Sequence, residues 1–135
     1  MFAAALIDYH PLLRLGLARI LSTIPSIREI RSYDPDNLDA PGGEYDPRLA
    51  VQLLLFGLSN DEARDRALLN RMVELTMPHH VLVLSDNPCQ PTVNHHLIAG
   101  RIRKSASSEL IDAAIRLILA GGKCFPACCA PANDA

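Results

Sequence analysis

The sequence predicts an α/β fold of the doubly wound type, in which a five-stranded parallel sheet lies between two layers of helices. Short apolar runs of strand length recur along the chain, and helical patterns with start or stop signals lie between them. The two kinds of segment alternate about five times, an order that is typical of a parallel sheet with helices on both faces.

Composition bounds the class of protein before any motif is considered. The chain has 135 residues, of which 49% are hydrophobic and 21% charged, and its formal net charge is −2. One domain with a real core fits this length, and a disordered chain is excluded. Near-neutral charge argues against a broad basic face for nucleic acid. The apolar runs are far shorter than the roughly 20 residues that span a bilayer.

The four cysteines indicate a reduced protein of the cytoplasm. Three of them lie in the last dozen residues, at 124, 128 and 129, whereas a disulfide framework is spread through a small secreted chain. The cysteines and histidines lack the paired short spacings of a structural zinc site. Asp8 interrupts the apolar start before a secretory cleavage pattern can form. We expect neither a metal nor a cofactor.

The first part of the chain begins with the apolar run Phe2–Ile7, which predicts a strand buried on both faces. Pro11 suits the first turn of a helix, and apolar residues at helical spacing continue the pattern until Pro25. Residues 27–32 alternate apolar and polar side chains, as in a strand near a sheet edge. Residues 34–45 are rich in proline, glycine and acidic side chains, and we expect an acidic loop there.

The middle of the chain is predicted to form two buried strands around a helix. Residues 49–56 are the most apolar segment and predict the central strand. Ser59 and Glu62 have the spacing of a capping box, which would start a helix that runs to about Thr76. Residues 80–85 predict the next buried strand.

The last part of the chain predicts a weak helix, a strand and a strong helix. Residues 92–99 suggest a short helix, and residues 100–104 a short basic strand. Ser107 is a suitable cap for a final helix over 108–120, and two glycines then end it. The apolar side of this helix is predicted to consist of Leu110, Ile111, Ala114, Ile115 and Ile118.

In a parallel sheet the chemistry is expected at the carboxyl ends of the strands. Those ends carry Asp8, residues 56–59, Ser85 and Lys104. We therefore expect these residues to meet at one edge of the sheet.

The opening run from residue 6 to 17, LIDYHPLLRLGL, resembles the start of response regulator receiver domains, of the type joined to a LuxR/NarL-like helix-turn-helix. The strand that ends in Ser85, the strand that ends in Lys104 and the final helix are similar to that family as well. The resemblance implies a flavodoxin-like (CheY-like) three-layer fold with a degenerate second helix. It also implies a receiver-like domain over residues 1–122 and the start of an interdomain linker, or a disordered tail, over 123–135.

The same resemblance implies a phosphorylation pocket that has lost its acceptor. Receiver domains carry two aspartates after the first strand and the phosphate acceptor after the third. Here Tyr9 follows Asp8, and alignment on Asp46 places Leu53 at the acceptor position, while a shifted alignment places Gly57 near it. The family's switch aromatic is replaced by Arg101. The vestigial pocket would consist of Asp8, Tyr9, Leu53, Gly57, Ser85 and Lys104.

Such a pocket lacks the chemistry of phosphoryl transfer. A carboxylate nucleophile and a magnesium ion held by carboxylates are both needed. Without them, Lys104 is expected to pair with Asp8 across the strand ends. Asp61 and Asp86 are the nearby carboxylates that could substitute as acceptor, although Asp61 is better explained as an acid in the first turn of its helix.

The hypothesis from sequence is an atypical, phosphorylation-independent receiver domain that acts as a dimerisation or signal-integrating module. We expect a homodimer with Leu12, Leu15, Ile111 and Ile115 as its interface, and DNA contact only through a C-terminal helix-turn-helix domain absent from this chain. The regulator would be a protein or a small molecule. The alternative is a stand-alone module that binds a small molecule or a partner. An enzyme is not expected, because the chain has no phosphate-binding glycine loop, nucleophile elbow or paired carboxylates.

Overall fold

Eight helices and strands form the fold in a computed structural model that describes residues 2–38, 50–87 and 93–125. All five strands pair in parallel, in the spatial order β2-β1-β3-β4-β5. The predicted α/β fold with a five-stranded parallel sheet is therefore confirmed, and the predicted edge strand is at the edge. In chain order the elements are β1 (Phe2–Ile7), α1 (Pro11–Ser22), β2 (Ile27–Tyr33), β3 (Leu53–Gly57), α2 (Glu62–Thr76), β4 (His80–Ser85), β5 (Ile98–Arg103) and α3 (Ser108–Leu119).

The sheet is buried on both faces, because helices cover each of them. Side chains of the central strand β3 alternate between the two faces. Leu53 and Leu55 belong to the core cluster that includes α1 and α3, whereas Leu54 and Phe56 belong to the cluster that includes α2. Because all five strands are parallel, their carboxyl ends lie along the same edge of the sheet.

The central strand starts later than predicted. Residues 50–52 precede β3, and their backbone groups join this segment to α2 and β1. The Val51 N–H donates to the Thr76 carbonyl oxygen (3.0 Å) and the Gln52 N–H donates to that of Ala3 (2.9 Å). The predicted start at residue 49 lies outside the described residues, as does most of the acidic loop and of the degenerate second helix. The described part of that loop contains a turn in which the Asn37 N–H donates to the Asp34 carbonyl oxygen.

The predicted helix over residues 92–99 is wrong for the residues from 93 onward. This segment contains a turn and then enters β5 at Ile98. The physical reason is competition for backbone groups: the Val81 N–H donates to the Leu97 carbonyl oxygen at 2.9 Å, and Ile98 pairs with Val81 in the sheet. Sheet pairing thus extends the last strand two residues before its predicted start.

The predicted capping box at the start of α2 is also wrong. Asp61 is the N-cap, and its carboxylate accepts a hydrogen bond from the Arg64 N–H at 3.2 Å. Ser59 is occupied elsewhere, because its hydroxyl donates to Asp65 Oδ1 at 2.7 Å. Asn60 between them has a φ of 74°, a left-handed conformation that asparagine tolerates better than most residues. The N-cap therefore lies two residues after the predicted cap, and the helix begins at Glu62.

The final helix begins as predicted, with Ser107 as a cap whose hydroxyl accepts from the Leu110 N–H at 3.2 Å. It ends near Gly121, which has the left-handed φ of +98° that glycine adopts without strain. Leu110, which the spacing assigns to the apolar side of this helix, is exposed in the structure. Within residues 2–38, 50–87 and 93–125, no helix is both long and apolar enough to cross a membrane.

Candidate functional site at the carboxyl edge of the sheet

Asp8 is the centre of the site. It follows β1 directly, and its side chain is 0% exposed. Its Oδ1 accepts hydrogen bonds from the His10 N–H (2.7 Å) and, when the ring carries a proton there, from His10 Nδ1 (3.0 Å). Its backbone carbonyl oxygen accepts from the Arg14 guanidinium at 2.7 Å. A buried carboxylate needs such partners, because burying an unpaired charge costs far more than the roughly 2–7 kcal/mol of an unpaired neutral polar group.

Lys104 supplies the countercharge. It follows β5, and its Nζ lies 3.0 Å from Asp8 Oδ2. Within the described residues Oδ2 accepts no hydrogen bond, and the Lys104 ammonium neutralises its charge. The Lys104 ammonium donates instead to the Leu58 carbonyl oxygen at 2.6 Å, and its backbone N–H donates to that of Ser85 at 2.9 Å. The pairing of Asp8 with Lys104 that the sequence suggests is present.

Gly57 stands next to Asp8 at the end of β3. A Cβ atom added to Gly57 would lie 1.8 Å from Asp8 Oδ2, far inside contact distance. The Asp8 carboxylate therefore occupies the space that any side chain at position 57 would need. Only glycine fits here while Asp8 keeps its place.

Leu53 does not belong to this site. It is the first residue of β3, pairs with Ala4 and His80, and is fully buried in the core. The alignment that places an acceptor at Leu53 is therefore wrong, because it assigns the acceptor to the amino end of the strand. The shifted alignment, near Gly57, is the one compatible with the sheet register.

Tyr9 lies at the mouth of the site under an arginine. The Arg64 guanidinium carbon is 4.5 Å from the centre of the Tyr9 ring, a cation–π distance. Burial raises the pKa of the Tyr9 hydroxyl above its ordinary value of 10.0; Arg64 acts against this rise, and Asp65 and Asp36 add to it. The phenol is therefore neutral at physiological pH and replaces a charged carboxylate with an uncharged group.

Ser85 lies at the edge next to Lys104, whereas Arg101 lies within β5. Ser85 ends β4 and is buried. Arg101, in the position of the family's switch aromatic, is also buried, and its guanidinium donates to the Val93 carbonyl oxygen. Arg101 therefore holds the segment before β5 against the strand.

The two carboxylates considered as substitute acceptors are engaged at the rim of the site. Asp61 caps α2, and Asp86 Oδ2 accepts a hydrogen bond from the Asn60 side chain at 3.1 Å. Both residues are exposed. Each contact gives its carboxylate a structural role.

Asp65 is the residue that sequence reasoning missed. It is fully buried on α2, and its carboxylate accepts from the Ser59 N–H (3.0 Å) and hydroxyl (2.7 Å). A signal was present, because Asp65 falls on the apolar stripe of α2, four residues before Leu69 and seven before Met72. A charged residue on such a stripe indicates a buried partner. Here the partner anchors the loop between β3 and α2.

A magnesium ion, the metal that the receiver fold implies, does not fit these donors. Asp8 Oδ1 already accepts the His10 backbone N–H and has His10 Nδ1 at 3.0 Å, and an ammonium group lies 3.0 Å from Oδ2. Magnesium prefers oxygen ligands in near-octahedral geometry, usually with carboxylates. Within the described parts of the chain, no group of three His, Cys, Asp or Glu side chains could hold a metal ion.

The predicted dimer face divides into two parts. Leu12 and Leu15 on α1 are 81% and 68% exposed, so they are available for contact. Ile111 and Ile115 are 4% and 0% exposed and belong to the core beneath α3. Their assignment to an interface is therefore wrong, because these side chains point toward the sheet.

Comparison with known proteins identifies the fold. No protein-family model and no curated protein matches the chain. The isolated REC domain of RcsB from Salmonella enterica serovar Typhimurium is 17% identical, with a TM-score of 0.65 over 95% of each chain. A LuxR family DNA-binding response regulator from Silicibacter pomeroyi is 20% identical, with a TM-score of 0.60 over 98% of this chain and 99% of that chain. RcsB in complex with DNA is 19% identical, with a TM-score of 0.64 over 95% of this chain and 65% of that chain. The chain thus has the CheY-like fold of receiver domains.

Proposed function

We propose that this chain is a receiver-type signalling domain that works without aspartyl phosphorylation. The single observation that carries the proposal is the position of the Asp8 carboxylate. It occupies the space beside Gly57 and faces the Lys104 ammonium at 3.0 Å. The carboxylate in this space is already paired with Lys104, and residue 57 has no side chain that could act as the nucleophile.

The cations around Asp8 support this reading. Lys104 is 3.0 Å from Oδ2, Arg14 binds the backbone carbonyl oxygen, and Arg64 covers the Tyr9 ring. In a phosphorylated site, a metal ion and a lysine would instead neutralise charge on the incoming group. The chain supplies positive charge permanently, and its signal would therefore come from a protein or small-molecule contact or from the abundance of the protein.

The proposed role is control of transcription as part of a larger regulator. The domain would act in the cytoplasm, with no cofactor and no catalytic turnover of its own. DNA would be contacted only through a helix-turn-helix domain C-terminal to this chain, whose recognition helix enters the major groove. The structural relatives support this role, since one of them is RcsB bound to DNA.

A magnesium and beryllofluoride titration tests the proposal. Beryllofluoride mimics an acyl phosphate on receiver domains, and the backbone amides of Gly57 and Ser85 can be followed by NMR. We expect neither amide to shift beyond the effect of magnesium chloride and sodium fluoride alone. Saturable, beryllium-dependent shifts at these two positions would overturn the proposal, because they would show that a carboxylate at this edge accepts the acyl-phosphate mimic.

The exposed leucines of α1 support a homodimer. Leu12 and Leu15 are exposed on α1. The same helix lines a groove of about 620 Å³ with Gly16 and Arg19, and α3 lines it with Glu109. Apolar side chains beside opposite charges suit the repeated contact of a symmetric pair. A relative, RcsB, is described as dimers on DNA.

Sedimentation equilibrium tests the dimer. Leu12→Glu and Leu15→Glu are expected to raise the dimer dissociation constant at least about tenfold, since a buried charge opposes association. Leu117→Glu, an exposed leucine on α3, is the matched control and should leave it unchanged. A wild type that stays monomeric, or a dimer that both α1 variants leave intact, would disprove this interface.

A further inference from the structure

The chain continues past α3 and lies against the edge of the sheet. Cys124 forms a parallel bridge to Gly100 of β5. The Cys124 N–H donates to the Ala99 carbonyl oxygen and the Arg101 N–H donates to the Cys124 carbonyl oxygen, both at 2.9 Å. We call residues 122–125 the tail strap. It supplies hydrogen-bond partners to the outer edge of β5, which has no further strand beside it in the described sheet.

Gly100 makes this contact possible. A Cβ atom there would lie 2.7 Å from the Cys124 carbonyl oxygen, 3.0 Å from Leu82 Cδ1 and 3.1 Å from Ile118 Cδ1. Backbone cannot yield as a flexible side chain can, so a larger residue at position 100 would push the tail strap away. The absence of a side chain at one position of β5 thus lets the chain after α3 join the sheet.

The same strand reaches the closed ion pair. β5 carries Gly100 and Arg101, which hold the tail strap, and it leads directly into Lys104, which faces Asp8. Arg101 is also fixed from the other side, because its guanidinium donates to the Val93 carbonyl oxygen. Gly100 and Lys104 are only four residues apart in the chain. A displacement of β5 at the tail strap would therefore also move Lys104, and the reverse.

We propose that the tail strap is a releasable cover of β5, and that loss of the Asp8–Lys104 contact weakens it. The strap is then the element through which the state of the site reaches the chain beyond residue 125. This inference rests on the proposed function for the meaning of the signal, while the strap contact itself stands independently. Coupling of this kind requires an element with two arrangements that both sites influence.

The thiol of Cys124 provides the test, because it is half-buried under the strap contact. In a background in which Cys89, Cys128 and Cys129 are changed to serine, Cys124 is the only thiol, and its labelling by Ellman's reagent reports opening. Gly100→Ala is expected to accelerate labelling at least about tenfold, since the two strap hydrogen bonds are weakened. Gly16→Ala is the matched control, because a Cβ there meets nothing within 4 Å.

The coupling is tested in the same background with Lys104→Met, for which we expect labelling at least about threefold faster than in the background protein. Equal rates for Gly100→Ala and Gly16→Ala would overturn the strap, and an unchanged rate for Lys104→Met would overturn the coupling. If Gly100→Ala fails to fold, Cys124→Pro removes the N–H that donates to the Ala99 carbonyl oxygen and adds no atom at Gly100. Hydrogen exchange of the Arg101 amide should then accelerate, and unchanged exchange would overturn the strap. Phosphorylation of the wild type would refute the proposed function but not these results.

Discussion

The carboxyl edge of the sheet and the outer face of α1 use their side chains in opposite ways. At the edge, Asp8 is fully buried and faces Lys104. On α1, Leu12 and Leu15 project into solvent without cover from the described chain. The charged groups of the edge are buried against each other, whereas the leucines of α1 are exposed. The difference shows that the charged groups of the edge find partners within the described chain, whereas the apolar groups of α1 do not, and our proposed function rests on this contrast.

The largest expected effect comes from removing the countercharge at the edge. Lys104→Met should lower the free energy of unfolding by about 3–5 kcal/mol, because it leaves Asp8 buried and unpaired. Urea denaturation measures it. Lys123→Met, at the chain's other lysine, should change stability by less than about 0.5 kcal/mol. The double variant Asp8→Asn with Lys104→Met should recover part of the loss, and no recovery would contradict the ion-pair account.

The two assigned faces of the helices can be separated by a second pair of variants. Ile115→Ala should destabilise the protein by about 2–5 kcal/mol, because it leaves a cavity in the core. Leu12→Ala should change stability by less than about 0.5 kcal/mol, because its side chain is already exposed. Both values come from thermal or urea unfolding of the monomer at low concentration. Equal losses of stability for Ile115→Ala and Leu12→Ala would mean that Leu12 is buried and that the outer face of α1 is not exposed.

The closeness of Gly57 to Asp8 predicts a smaller loss. Gly57→Ala should cost about 1–3 kcal/mol, because its new methyl group meets the Asp8 carboxylate. Gly16→Ala, in α1 with open space around it, should instead stabilise the protein by up to about 1 kcal/mol. Differential scanning calorimetry compares the two. A neutral Gly57→Ala would show that the carboxylate moves freely and that the edge is not closed.

The smallest expected effect concerns the rim of the site. Asp61→Ala should cost about 0.5–2 kcal/mol, the value of an N-cap. Glu62→Gln should change stability by less than about 0.5 kcal/mol, because Glu62 pairs with Arg66 on the surface. Urea unfolding distinguishes the two. A larger loss for Glu62→Gln than for Asp61→Ala would mean that the start of α2 depends on Glu62, as the capping box predicted.

The order of strand and helix patterns along the sequence was enough to predict the parallel sheet and the meeting of Asp8 with Lys104. Strand runs and their alternation with helices fix the parallel sheet, and the sheet brings Asp8 to Lys104. Details that depend on tertiary competition could not be predicted. Ser59 matches a cap in sequence, but the buried carboxylate of Asp65 takes its hydroxyl.

Helical spacing predicted which side of α3 is apolar, but not which residues of that side are buried. The spacing groups Leu110 with Ile115, whereas packing exposes Leu110 and buries Ile115 completely. Periodicity also cannot say whether a buried stripe faces the same chain or a second copy. The assignment of Ile111 to an interface failed for that reason.

Intact-mass spectrometry after incubation with magnesium and acetyl phosphate tests the central claim most directly. The account predicts that the wild-type protein gains no phosphoryl group, because Asp8 fills the space beside Gly57 and already has Lys104 as its partner. A magnesium-dependent mass increase of one phosphoryl group, located on any aspartate of this edge, would contradict it.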